Sequence, residues 1–378
     1  MTSPSFSPPQ GRSCRPRSRS TSPTRKLAGL LVAVTATALG MMSLAGSAQA
    51  AGPDTSPANV VSPIAANVAS ASTSLLSAAV VEDYWTPQRM SSARPADTKF
   101  TAQGANGTVA TTATGGKPVT VAAAAGTLPA TTEALRASVT RPYTNRPDRL
   151  NGKVFFSSGG TNYVCSGTVV DSNNKDMIDT AGHCVSDGAG HFYSNWVFVP
   201  GFSSNATGCT SAAGCYPYGK WAARRLTTTS EWHYHGNLKQ DLGYAVLKTL
   251  NGQHIVTYLG GQGSIFNQSR AQTWNAFGYP QVAPFNGYDQ KVSISGRFGD
   301  DNPTAGAGPL TISIASNLTG GSSGGGWLIR QSATTGLGYV NGHNSYRYTS
   351  GPAADSNRMY GPYYGDEALS LFNSTKML

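Results

Sequence analysis

The sequence is defined first by what it has little of. Charged residues make up only 12% of its 378 residues, and helical patterning is scarce. No internal repeat is visible. No C-x-x-C unit occurs and no histidine pair falls at zinc-finger spacing, so no metal is expected. Nothing calls for a cofactor. From residue 141 on, positive charge forms no run beyond Arg224-Arg225. The net charge of +10 owes much to Arg12, Arg15, Arg17, Arg19, Arg25 and Lys26, so the rest is only mildly basic and no nucleic-acid partner is expected. After residue 50 there is no long apolar run, which argues against a membrane span in the remainder.

What is present begins with a leader. The basic stretch is followed by an apolar segment from Leu27 to about Leu44 and by Ser47-Ala48-Gln49-Ala50-Ala51. A basic region, an apolar core and an Ala-x-Ala site describe a secretory signal peptide over residues 1–50, removed on export, so a secreted, extracellular protein is expected. Cys14 would leave with it. Cys165, Cys184, Cys209 and Cys215 remain, an even set that allows three pairings, of which nearest neighbours is the simplest. Residues 51–143 are rich in Ala, Ser, Thr, Pro and Gly and read as a low-complexity pro-segment or spacer. One island interrupts it, Glu82 to Met90, where Thr86 can cap and Pro87 suits a first helical position. Trp85 in that island points to a segment that docks on something.

From about residue 144 the character changes. Short Val/Phe/Tyr-rich runs such as Val154-Phe155-Phe156, Trp196-Val197-Phe198-Val199 and Leu310-Thr311-Ile312-Ser313-Ile314 are separated by Gly, Asn, Asp and Ser. Short strands with frequent turn signals predict an all-β sandwich or barrel over residues 144–378. One helix is expected near the C-terminus, Asp366 to Asn373, with acids at its start and Ala368, Leu371 and Phe372 on one face.

Chemistry gathers in three stretches. Thr319-Gly320-Gly321-Ser322-Ser323-Gly324-Gly325-Gly326-Trp327 is either a Gly/Ser linker or a tight turn with backbone N–H groups aimed at one point around a nucleophilic serine. His183 sits among small residues in Asp179-Thr180-Ala181-Gly182-His183-Cys184, and His191, His233, His235 and His254 have no comparable setting. Asp241 opens the apolar run Leu242-Gly243-Tyr244-Ala245-Val246-Leu247, where a buried carboxylate needs a partner. An imidazole N–H would be one.

In this order the three stretches resemble the signature motifs of the chymotrypsin/trypsin-like serine peptidases. The resemblance covers residue 146 to the end. It implies two antiparallel six-stranded β-barrels with a short C-terminal helix, and a secreted serine endopeptidase acting on protein or peptide substrates. His183 would be the base, Asp241 its orienter and Ser323 the nucleophile, with the N–H groups of Gly321 and Ser323 as the oxyanion hole. Cys165-Ser166-Gly167-Thr168 is similar to the strand whose cysteine bridges to the one after the histidine, which implies Cys165–Cys184 and leaves Cys209–Cys215. Ser322 stands where trypsin and chymotrypsin have an aspartate that pairs with the freed N-terminus, so another activation route is expected, as in secreted bacterial members such as the glutamyl-endopeptidase-like branch. These commonly carry a pro-segment, which makes this chain's own pro-segment a partner of an otherwise monomeric enzyme. Gly342-His343-Asn344-Ser345-Tyr346-Arg347 is similar to the strand lining the primary pocket. It nominates His343, Ser345 and Tyr346 for substrate binding, with Asn317 near the pocket floor. No carboxylate stands there, and His343 with Arg347 would favour an acidic substrate residue. The competing reading is a catalytically inactive, peptidase-like binding protein.

Overall fold

Successive side chains of a strand point to opposite faces, so the unbroken apolar runs at Val154-Phe155-Phe156 and Trp196-Val197-Phe198-Val199 require cover on both. The computed structural model shows where that cover comes from. It describes residues 67–72, 77–96, 99–101, 115–128, 143–204, 215–350 and 354–378. The predicted leader, Cys14 and Cys209 lie outside them.

Four short strands fall in the stretch of low complexity: β1 (Val68–Ser72), β2 (Arg94–Pro95), β3 (Lys99–Thr101) and β4 (Val119–Val121). Next come β5 (Asn151–Ser158), β6 (Thr161–Val170), β7 (Met177–Ala181), β8 (Ser194–Pro200), β9 (Trp221–Thr229) and β10 (Leu242–Leu247). These pair in the order β9-β10-β7-β6-β5-β8, and β8 returns to β9, which closes an antiparallel barrel.

The second sheet is built from β11 (Gly263–Phe266), β12 (Thr273–Gly278), β13 (Lys291–Asp301), β14 (Thr311–Ala315), β15 (Gly326–Ile329), β16 (Tyr339–His343) and β18 (Arg358–Gly361), with β17 (Arg347–Ser350) apart from it. Its order is β18-β14-β13-β12-β15-β16-β11-β4. An antiparallel bridge between Tyr346 and Tyr360 brings the chain after β16 back against β18. The all-β, chymotrypsin-like architecture expected from the motifs is therefore present. The helix Asp366–Thr375 buries Ala368, Leu371 and Phe372. They join a cluster that draws Met177 and Tyr244 from the barrel and Phe266 and Leu328 from the second sheet.

The parity of β5, β6 and β8 answers the question of cover. Val154, Phe156, Cys165 and Phe198 face the interior of the first barrel. Phe155, Val164, Val197 and Val199 face outward, onto Val81, Trp85, Met90 and Ala93. The island around Trp85 thus forms two short helices, Ala78–Tyr84 and Pro87–Ser92, the second capped by the Thr86 hydroxyl. Trp85 is fully buried and packs against Phe155, with tilted rings 5.4 Å apart. The flanking strands add on by backbone pairing: β1 to β9, β2 to β6, β3 to β17 and β4 to β11.

Candidate active site

Strand register assembles the first half of the site. β10 pairs antiparallel with β7, with Leu242 opposite Ala181 and Gly243 opposite Thr180. Asp241, just ahead of β10, is thereby set beside the single 3₁₀ turn Gly182–Cys184 that carries His183. The Asp241 carboxylate has no solvent exposure. One oxygen accepts the backbone N–H of His183 at 2.7 Å, and the other meets His183 Nδ1 at 2.8 Å. Ser345 Oγ donates to that second oxygen at 2.5 Å. Three donors satisfy a charge that would otherwise be costly to bury. An Nδ1–H donating to Asp241 leaves Nε2 of His183 as the basic nitrogen. Trp232 walls the imidazole edge-on, with ring centres 6.0 Å apart.

The turn at Ser323 forms the second half. Gly321 has φ +95° and Gly324 φ +80°, backbone that only glycine adopts without strain, and a Cβ on Gly324 would lie 2.1 Å from Thr180 Oγ1. Ser166 clamps this turn: its N–H donates to Ser323 O at 2.7 Å and its hydroxyl to Gly321 O at 2.9 Å. Gln281 N–H donates to Gly320 O at 2.6 Å, and the Gln281 side chain meets Lys153 Nζ at 3.3 Å. Burial pushes that ammonium down to about 7. The Ser322 hydroxyl turns to Thr319 O at 2.7 Å, so it is spent on holding the turn. Among the described residues the N–H groups of Gly321 and Ser323 donate to nothing. Buried N–H groups are rarely left so.

The two halves meet at a disulfide. Cys165 is bonded to Cys184, and Cys184 Sγ lies 3.6 Å from the Ser323 carbonyl oxygen. The Cys165, His183 and Cys184 ligand atoms fall within 4.8 Å of one another, but with both sulfurs in the bridge no thiolate is left to bind a metal. Cys215 is also disulfide-bonded.

Beside Ser323 opens a cavity of about 290 Å³. Ser345 and Tyr346 line it, together with Thr319, Arg347, Thr349 and Met359. Two nominations need correcting. Asn317 is exposed and outside the lining, while its neighbours Ser316 and Leu318 are buried. His343 is fully buried, and both its ring nitrogens are engaged away from the cavity, with Asp241 O and the Tyr364 hydroxyl. Val282 and Ala283, which also line the cavity, carried no sequence signal.

The chain is similar to the solved structure of the protease Anisep from Arthrobacter nicotinovorans, at 38% identity and a TM-score of 0.53, over 61% of this chain and 97% of that one. It is similar also to AL20, a thermostable serine protease from an extremophilic microorganism, at 36% identity and a TM-score of 0.52, over 61% and 98%. A Glu endopeptidase structure at 16% identity and a TM-score of 0.47, over 66% and 100%, is too distant to assign a branch. No family model matches the sequence, and no curated protein does. Fold, motifs and these similarities together place the chain in the chymotrypsin/trypsin-like serine peptidase family. It is a serine endopeptidase.

Proposed function

We propose that residues 144–378 hydrolyse peptide bonds through an acyl-enzyme on Ser323, with His183 as base and Asp241 as its orienter. The observation that carries this is the pair of bonds from Asp241 to His183, at 2.7 Å to its backbone N–H and 2.8 Å to Nδ1. Ser323 Oγ attacks the scissile carbonyl and its proton passes to His183 Nε2. The oxyanion is held by the N–H groups of Gly321 and Ser323. The imidazolium then protonates the leaving amine, and a water activated by the same nitrogen releases the acid. A fluorophosphonate probe should label the processed protein on Ser323, and Ser323→Ala should lower kcat by about 10⁶-fold. Casein turnover that survives Ser323→Ala would sink the assignment, and a labelled wild type that turns over no protein would favour the binding-protein reading.

Residues 1–50 are then an export leader and residues 51–143 a pro-segment. The matched share of the solved relatives, 61% of this chain, is close to the size of 144–378, which supports that division. The enzyme would act outside the cell as a monomer, without cofactor.

The cavity beside Ser323 favours a narrower reading as well. Among the described residues its lining holds one cation, Arg347, and no carboxylate. Arg347 is braced by the carbonyls of Leu318 at 2.7 Å and Ser356 at 2.6 Å, a fixed guanidinium in the wall. Cleavage after acidic residues is the expected preference. Cleavage sites mapped in a mixed peptide library should cluster after Asp or Glu, and Arg347→Gln should lower kcat/KM for those peptides by about 10- to 100-fold. Cuts spread over apolar residues would end this reading.

A further inference from the structure

His343, nominated for the substrate pocket, occupies a different place. It ends β16 and meets the Asp241 backbone, while the Asp241 carboxylate meets His183. Nε2 lies 2.8 Å from the Asp241 backbone carbonyl. A carbonyl only accepts, so Nε2 carries hydrogen. Nδ1 lies 2.8 Å from the Tyr364 hydroxyl and 3.5 Å from Asp179 Oδ1. Tyr364 donates to Asp179 Oδ2 at 2.6 Å. The Tyr364 hydroxyl thus links Nδ1 of His343 to the Asp179 carboxyl.

This chain of groups draws on Asp179 from β7, Tyr244 and Asp241 from β10 and the turn before it, and Tyr364 from the approach to the C-terminal helix. All of these groups are buried. Burial drives the Asp179 carboxyl up, against the nearby His343, the bond from Tyr364 and the nearby Tyr244 hydroxyl. For stability alone, apolar side chains would serve this space as well or better. Asp241, in turn, needs help with its backbone. Its φ of −72° and ψ of 57° belong to neither helix nor strand, and the β10 ladder begins only at Leu242.

We propose that His343, held by Tyr364 and Asp179, is a positioning residue for Asp241. It fixes the Asp241 main chain from behind, so that both carboxylate oxygens stay aimed at His183. This rests on the triad reading above.

The test compares two phenylalanine variants of the processed enzyme. Tyr364→Phe and Tyr244→Phe each remove one hydroxyl from the surroundings of Asp179, but only Tyr364→Phe also releases His343. Both should lower the melting temperature. Tyr364→Phe should in addition lower kcat by about 10- to 100-fold with KM unchanged, the cost of a slightly misplaced group. The acidic limb of kcat/KM should move to lower pH, because a loosened Asp241 stabilises the His183 imidazolium less. Tyr244→Phe should keep the wild-type kcat. A folded Tyr364→Phe enzyme with wild-type kcat and acidic limb overturns the proposal, as does an equal loss of kcat in both variants. If Tyr364→Phe does not fold, His343→Gln gives the same reading, and unaltered kinetics there overturn the proposal too. Fluorophosphonate labelling of wild-type Ser323 separates the two failures: an unlabelled wild type indicts the triad, not His343.

Discussion

Asp241→Asn should cost about 10⁴-fold in kcat, with little change in KM or in melting temperature. The reason lies in what each carboxylate oxygen does. One accepts the backbone N–H of His183, which can only donate, and the other accepts Nδ1–H and the Ser345 hydroxyl. An asparagine can keep its carbonyl on the backbone N–H. Its NH₂ then faces Nδ1 and forces the proton onto Nε2, where the imidazole can no longer take one from Ser323. The other flip sets two donors against each other at 2.7 Å. The Ser345 hydroxyl rotates to suit either, so the fold survives while the base does not. Single-turnover acylation by an activated ester would read the loss directly. A kcat within tenfold of wild type would show that Asp241 is only a structural carboxylate.

How much of this was legible follows the physics of each part. The proposed triad stands out because each member would need a distinctive neighbourhood: small residues around His183, an apolar strand behind Asp241, and glycines flanking Ser323. The all-β architecture could be read because short β-rich runs between turn residues leave few alternatives. The pocket could not, because Val282, Thr349 and Met359 come from separate segments and carry no local pattern. His343 was misplaced for a related reason. Alternation along a strand fixes which residues share a face, but not which of two buried partners an imidazole meets. The N-terminal strands were hidden more deeply. β1 is Val-Ala-Ser-Ala-Ser and pairs with β9 through its backbone, and a strand added at a sheet edge needs no special side chains. Only Trp85 stood out in that stretch, because a docked segment still needs an apolar anchor.

The anchor gives the second large effect. Trp85→Ala, made in the unprocessed chain with Ser323→Ala to prevent self-cleavage, should cost about 3–5 kcal/mol. Trp85 has no exposed surface, touches Phe155 on the outer face of the first barrel and donates from Nε1 to Asn195 O at 2.5 Å. Its helices are too short to stand alone, so the loss should fall on the whole docked segment. The expected result is a drop in melting temperature of roughly 5–10 °C and rapid proteolysis between residues 77 and 96. Trp85→Phe should recover most of the packing but not the Asn195 bond. The same face explains why the segment is held there at all. Phe155, Val164, Val197 and Val199 form a contiguous apolar surface under Trp85, and bare apolar patches of this kind promote association. A peptidase domain stripped of residues 51–143 should therefore bind the dye ANS more strongly than the full chain, and the isolated 77–96 peptide should suppress that binding. Melting and proteolysis unchanged by Trp85→Ala would mean that backbone pairing at β1, β2 and β4 holds the segment without its anchor.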